Sequence, residues 1–234
     1  MNEIVAALKI AATLIIKMDP GLIEIIMLSL QISLSAVLLA SLVGCPLGAG
    51  LALARFPGHR LLVVLLNALM GLPPVVVGLT VYLLLSHSGP LGELDLLFTP
   101  TAMIIAQCIL VTPIISALTR QTVEDLWSEH EEQLRSLGAS TGRTLLTLLW
   151  EGRFSLLTAV LAGFGRAIAE VGAVMIVGGN ILHVTRVMTT TIALETAKGS
   201  LDLALALGIV LISLALIINA AAYFTKEIAL GYSD

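Results

Sequence analysis

The stretch WSEHEEQLRSLGASTGRTLLTLLWEGRF, Trp127 to Phe154, decides how the rest of the chain is read. It opens polar and then turns amphipathic. Leu134 and Leu137 stand three apart, which predicts one face of a short helix. Gly138 follows them and can end that helix in a left-handed turn. Ser140 and Thr141 can cap a second helix that starts near Arg143. The expected outcome is a short helix, a sharp turn and a rise into the next apolar segment, a shape suited to docking in a groove on a partner.

Working outward, the stretch is flanked by long apolar segments. A helix needs roughly 20 apolar residues to cross a bilayer. Five segments qualify, at about 22–54, 61–86, 100–122, 154–178 and 201–225. Pro46 is a candidate kink in the first. Of the 234 residues, 58% are hydrophobic and only 12% charged, with a mean hydropathy of +1.03. Soluble domains carry about 25% charge, and one of this length could not hide so much apolar surface from water. The expected fold is therefore an all-α integral membrane protein with about five transmembrane helices.

Residues 1–18 differ. Their apolar run, Ile4 to Ile16, is short and holds Lys9, with Lys17 and Asp19 closing it. We expect an N-terminal helix lying at the membrane interface, with a sixth span as the alternative. Glu3 before the run, Lys9 within it and the lack of a small-residue cleavage site do not fit a cleaved signal. Residues 19–234 form one membrane domain, with a loop at about 123–153.

Positive charge sets the orientation. Arg55, Arg60, Arg120, Arg135, Arg143, Arg153 and Lys226 fall on one side of a five-span arrangement. Lys9, Lys17, Arg186 and Lys198 fall on the other. This places the 123–153 loop and the C-terminus in the cytoplasm and the N-terminus outside. Cys45 and Cys108 lie inside apolar stretches and read as small hydrophobes. His59, His87, His130 and His183 have no metal-ligand spacing, so no metal site is expected. No basic–aromatic interleaving points to nucleic acid, and no GxxxxGK[ST] loop is present to hydrolyse ATP.

Two further features carry chemistry. Pro73 and Pro74 remove consecutive backbone donors, which opens a helical ladder and predicts a bend, either beside a translocation path or in plain packing. Arg166 and Glu170 are the only charges deep in the fourth span, four residues apart on an expected shared face. Charges at such depth usually face a bundle interior or water. They are either path residues, with Arg166 offering positive potential, or a neutral pair fixing helix packing. Gly163, Gly165, Ala167, Ala169, Gly172 and Ala173 allow close helix approach on the same span. Asn180 reads as a turn residue.

On these residues the chain resembles the permease subunits of ABC importers. Their cytoplasmic loop has the pattern E-A-A-x-x-x-G, nine residues, then I-x-L-P. Here Glu132 and Gly138 keep the spacing, and Arg135 to Ser140, RSLGAS, fits the usual form. Gln133 and Leu134 replace the two alanines, Leu148 stands for Ile, and Trp150-Glu151 stand for Leu-Pro. MGLPPVVVG (70–78), GFGRAIAEVGAVMIVGGNI (163–181), RFPGHRLL and SGPLGELDLLFTPTA extend the resemblance to permeases for tetrahedral oxyanions, the tungstate branch before molybdate. The resemblance implies a type I ABC importer transmembrane domain acting as a homodimer in a prokaryotic inner membrane. It also implies a cytoplasmic ATPase subunit, which binds the ATP and magnesium, and an extracytoplasmic binding protein. Glu132, Arg135, Ser136, Leu137, Gly138, Ala139 and Ser140 would couple to the ATPase. No cofactor or catalytic site is expected in the chain itself. Sulfate is a further cargo. An ATP-independent secondary transporter would show inverted repeats, and an intramembrane enzyme a paired catalytic set; the sequence displays neither.

Overall fold

The computed structural model describes residues 5, 9, 10, 13 and 20–231. Apart from residues 5, 9, 10 and 13, the helix expected over 1–18 lies outside the described residues. The described chain is helical: α1 Pro20–Leu53, α2 His59–Leu69, α3 Pro74–Leu85, α4 Pro100–Ser136, α5 Thr141–Glu151, α6 Arg153–Ile168, α7 Gly172–Gly178, α8 Met188–Ala197 and α9 Leu201–Gly231. A single 3-10 turn, Gly92–Leu94, follows α3.

Among the described residues, three helices are long and apolar enough to cross a membrane: α1, α4, and α9 over Leu201–Ala221. The number is five if the bent pairs α2–α3 and α5–α6 each count as one span. Leu38, Leu42, Ile212, Leu216 and Ile217 are each 61–65% exposed. Apolar surface of that extent is a liability in water and ordinary against lipid.

Two expected spans are not continuous helices. The segment 61–86 is not one helix, because the chain bends by 98° between α2 and α3. Pro73 takes an extended conformation as N-cap, and Pro74 begins α3, a position where its missing N–H costs nothing. The proline pair thus sits at the bend expected of it, and it makes that bend by starting a new helix. The segment 154–178 is also interrupted: α6 ends at Ile168, and Ala169–Val171 leave the helix before α7 begins. Residues 188–197, expected as part of a loop, form α8.

The chain forms two compact units. One draws on residues up to 35, on 73–107 and from 167 onward; the other on 36–72 and 108–166. In the first, Met188, Ala206 and Val210 are buried with Ile25 and Ile26 of α1 and Ile209 and Leu214 of α9 packed on them. The first amide of α8, Met188 N, donates to Ser29 Oγ at 2.9 Å, which anchors the start of that helix on α1. In the second unit, Ala49, Val123 and Leu148 are buried together. There α1 and α4 meet at backbone distance: a Cβ on Gly48 would stand 2.2 Å from the Ser116 carbonyl oxygen. Cys45 and Cys108 are both free thiols, as expected of small apolar residues.

Candidate functional site

The signature segment forms an exposed turn in the second unit. The first helix is not a separate short one. It is the end of the 37-residue α4, which runs through to Ser136. Gly138, at φ +64°, then closes the helix. Its N–H donates to Arg135 O at 3.0 Å, and Ala139 N–H donates to Leu134 O at 3.1 Å. This pair of bonds is the Schellman arrangement that satisfies the last carbonyls of a helix. Ser140 occupies the N-cap position of α5 but its side chain makes no capping bond.

Leu134 and Leu137 do not share a face. Leu134 packs on the Ala49–Val123–Leu148 cluster, whereas Leu137 lies past the helix end and is 79% exposed. Glu132, Arg135, Ser136, Gly138 and Ser140 are exposed with it, and Ala139 is half-buried. Arg135 pairs with Glu131 at 2.6 Å and lies over the Trp127 ring at 5.9 Å. Ser136 Oγ donates to Gln133 O at 2.8 Å. The turn is thus held by local bonds.

Helix α5 extends this surface. Leu148 is buried at 1% exposure, and Leu145 and Leu149 pack with it. On the opposite face Leu146 and Trp150, four residues apart, are each 71% exposed. Arg153 lies over Trp150 at 5.2 Å from the ring centroid and donates to the Trp150 carbonyl at 2.8 Å. The sequence reading missed Leu146 and Trp150 as surface residues. The signal was present: in LLTLLWE the leucines at 145, 148 and 149 supply one face, and Leu146 and Trp150 form a second apolar pair out of phase with it.

The second candidate region is the helix break in the first unit. Glu170 is 3% exposed and non-helical, so it does not share a continuous helix face with Arg166, which sits in the last turn of α6. Ending α6 at Ile168 leaves carbonyls that must find donors away from water. Gln107 Nε2, from α4, donates to Ala167 O at 3.0 Å. Thr189 Oγ1, from α8, donates to Glu170 O at 2.8 Å. The Glu170 carboxylate accepts the Ala173 N–H of α7 at 3.0 Å. Three side chains, one of them its own, hold the break. Pro73 and Pro74 stand at the entry to α3 in this same unit, where α3 packs on α7 with the Gly78 position directly against Ala173.

Elsewhere in that unit, Asn180 takes φ +52°, as its turn reading required. His183, in the same loop, pairs with Glu24 at 2.7 Å. Among the described residues no three of His, Cys, Asp and Glu converge as metal ligands.

Long apolar helices, accompanied by shorter ones that are bent or interrupted, define the class: a helical membrane protein. Residues 40–226 match the family described as the binding-protein-dependent transport system inner membrane component, and the chain belongs to that family. It is 42% identical over 227 residues to the tungstate uptake system permease protein TupB of Peptoclostridium acidaminophilum, covering 97% of this chain and 100% of that protein. It is 39% identical over 219 residues to TupB of Campylobacter jejuni, covering 94% and 92%. The sulfate transport system permease protein CysW of Synechocystis is 29% identical over 202 residues, covering 80% and 73%. The chain is related to tungstate and sulfate permeases of ABC transporters.

Proposed function

We propose that this chain is the membrane permease of an ATP-driven importer for a tetrahedral oxyanion, tungstate first, with molybdate or sulfate as the alternative cargo. Two homodimeric copies form the translocation path in a prokaryotic inner membrane, and each crosses five times. The loop at 123–153 and the C-terminus are cytoplasmic and the N-terminus is outside. A cytoplasmic ABC ATPase binds the ATP and magnesium, and an extracytoplasmic protein delivers the cargo. The observation that carries the coupling role is the Gly138 turn. Polar Glu132, Arg135, Ser136 and Ser140 and apolar Leu137 are displayed on a locally bonded turn, backed by the buried Leu148. Exposed Leu146 and Trp150 add apolar area of the kind that anchors protein interfaces. Two tungstate-named relatives at 42% and 39% identity support the cargo assignment over sulfate at 29%. Pro73, Pro74, Arg166 and Glu170 are the proposed path residues, at or beside the two interruptions of the apolar helices.

The test is co-purification of the tagged chain from membranes in mild detergent, followed by reconstitution with the ATPase and the binding protein. A stoichiometric ATPase whose turnover rises with tungstate-loaded binding protein is the expected result. A chain that purifies alone and moves oxyanion in liposomes without ATP overturns the proposal in favour of a secondary transporter.

A further inference from the structure

The helix break at Ala169–Val171 borders a small cavity of mixed lining within the first unit, with Ile32, Ile168 and Val187 as its apolar wall. Ser29 and Ser33 of α1, Gln107 of α4, Ala167 and Glu170 of the break, and Thr189 of α8 supply its polar lining. Its free space is about that of a single water molecule. Gln107 is 3% exposed. Its amide nitrogen is committed to the Ala167 carbonyl, but its Oε1 is buried and meets no hydrogen-bond donor from the protein. A buried amide oxygen without a donor loses its hydration with nothing in return.

We propose that this cavity is a binding site for one ordered water, which donates to Gln107 Oε1. The chemistry of the lining fits a water better than a cation. A buried water makes about three hydrogen bonds. Its second proton has acceptors in Ser29 Oγ and Thr189 Oγ1, each of which keeps a free lone pair after the bonds it already makes. The Ser33 hydroxyl, on a residue 3% exposed, can rotate to donate to the water oxygen. A sodium or potassium ion requires a shell of several converging oxygens not already committed elsewhere. Ser29 Oγ already accepts the Met188 amide, and the Glu170 carboxylate already accepts the Ala173 amide. The water would be the remaining member of the set that closes the break. It would tie α4 to α1 and α8 where Gln107, Ser33 and Thr189 meet. Gln107 is thereby a positioning residue that holds the break through one direct bond and one water-mediated bond.

The test is a high-resolution structure of the full chain in lipid nanodiscs, assembled with its co-purifying subunits, in sodium buffer and again in rubidium buffer. Expected is one density within hydrogen-bond distance of Gln107 Oε1, unchanged between the two buffers. Gln107→Met, of similar length but without polar atoms, is expected to lose that density. Density that strengthens in rubidium shows a cation site and overturns the proposal. So does bare space beside Gln107 Oε1 in a map that resolves other buried waters. The wild-type maps decide the question even where Gln107→Met fails to fold.

Discussion

Gly138 offers a way to separate backbone strain from steric contact at the proposed docking turn. Its φ of +64° lies where an L-residue with a Cβ is strained by about 1–2 kcal/mol. Nothing stands within 4 Å of where that Cβ would be, so within this chain the cost of substitution is purely conformational. Asn tolerates this region, Ala pays the ordinary cost, and a β-branched residue pays more. Strain of about 1–2 kcal/mol lowers the ratio of formed to unformed turn by roughly 5–30-fold. If the ATPase binds only the formed turn, its apparent affinity falls by up to that factor. The expected order of affinity is Gly138, then Gly138→Asn, Gly138→Ala and Gly138→Val. The assay is titration of purified ATPase onto each variant in nanodiscs, with folded yield measured alongside. Side-chain volume predicts a different order, with Ala binding better than Asn. An Ala variant that outperforms Asn refutes the backbone argument, and a Val variant that binds like wild type refutes the turn as the docking element.

Trp150→Ala and Leu148→Ala should separate docking from folding. Trp150 is 71% exposed, so its loss should leave stability near wild type while weakening ATPase binding by at least about 30-fold, the scale of an aromatic hot spot of about 2 kcal/mol or more. Leu148→Ala should instead cost about 2–5 kcal/mol of stability, read as a lower melting temperature in detergent; equal effects of the two on binding and melting would sink the distinction. Gly48→Ala should lower the folded yield sharply, because its Cβ would meet backbone 2.2 Å away, whereas Gly50→Ala on the same helix meets nothing within 4 Å and should be tolerated; size-exclusion profiles compare them, and a tolerated Gly48→Ala would show that α1 and α4 do not pack this closely. Arg166→Gln should reduce oxyanion flux per folded transporter while Arg166→Lys retains most of it. Loss of folded protein in both variants with unchanged flux per molecule would assign Arg166 to packing.

Hydropathy alone located α1, α4 and α9, because a continuous apolar helix of that length has few alternatives in lipid. Gly138 was legible too: a glycine at the end of an amphipathic segment has a local backbone reason to be there. The interruptions were harder. The Pro73–Pro74 pair announced a disturbance, but whether it kinks one helix or starts another depends on where the preceding helix stops, which no residue nearby dictates. The break at Ala169–Val171 has no proline. It is stabilised by Gln107, 60 residues from Ala167, and by Thr189, 19 residues from Glu170, and sequence distance hides such partners. Helix α8 was hidden for the same reason. Its four threonines and flanking Arg186 and Lys198 read as a loop, yet Ser29 of α1, 159 residues away, fixes its first amide. Leu137 was assigned to a helix face by spacing when it is the first residue past the helix end.

The energetics of the helix break bear on how such a chain could work without chemistry of its own. Two hydrogen bonds between neutral groups contribute about 0.5–1.5 kcal/mol each, and one to a carboxylate about 1.5–3 kcal/mol. The set from Gln107, Thr189 and Glu170 therefore totals about 2.5–6 kcal/mol. Moving a two-state equilibrium from 1:99 to 99:1 takes about 5.5 kcal/mol of differential affinity. A continuous helix at the same place would have to break backbone bonds in lipid with no partner ready, at several kcal/mol for each group. The interruption replaces that barrier with a few side-chain bonds of ordinary strength. For a permease driven from outside, this is the useful range. If the break rearranges during transport, bonds of this number and strength would let a partner with a modest preference for the other arrangement shift it.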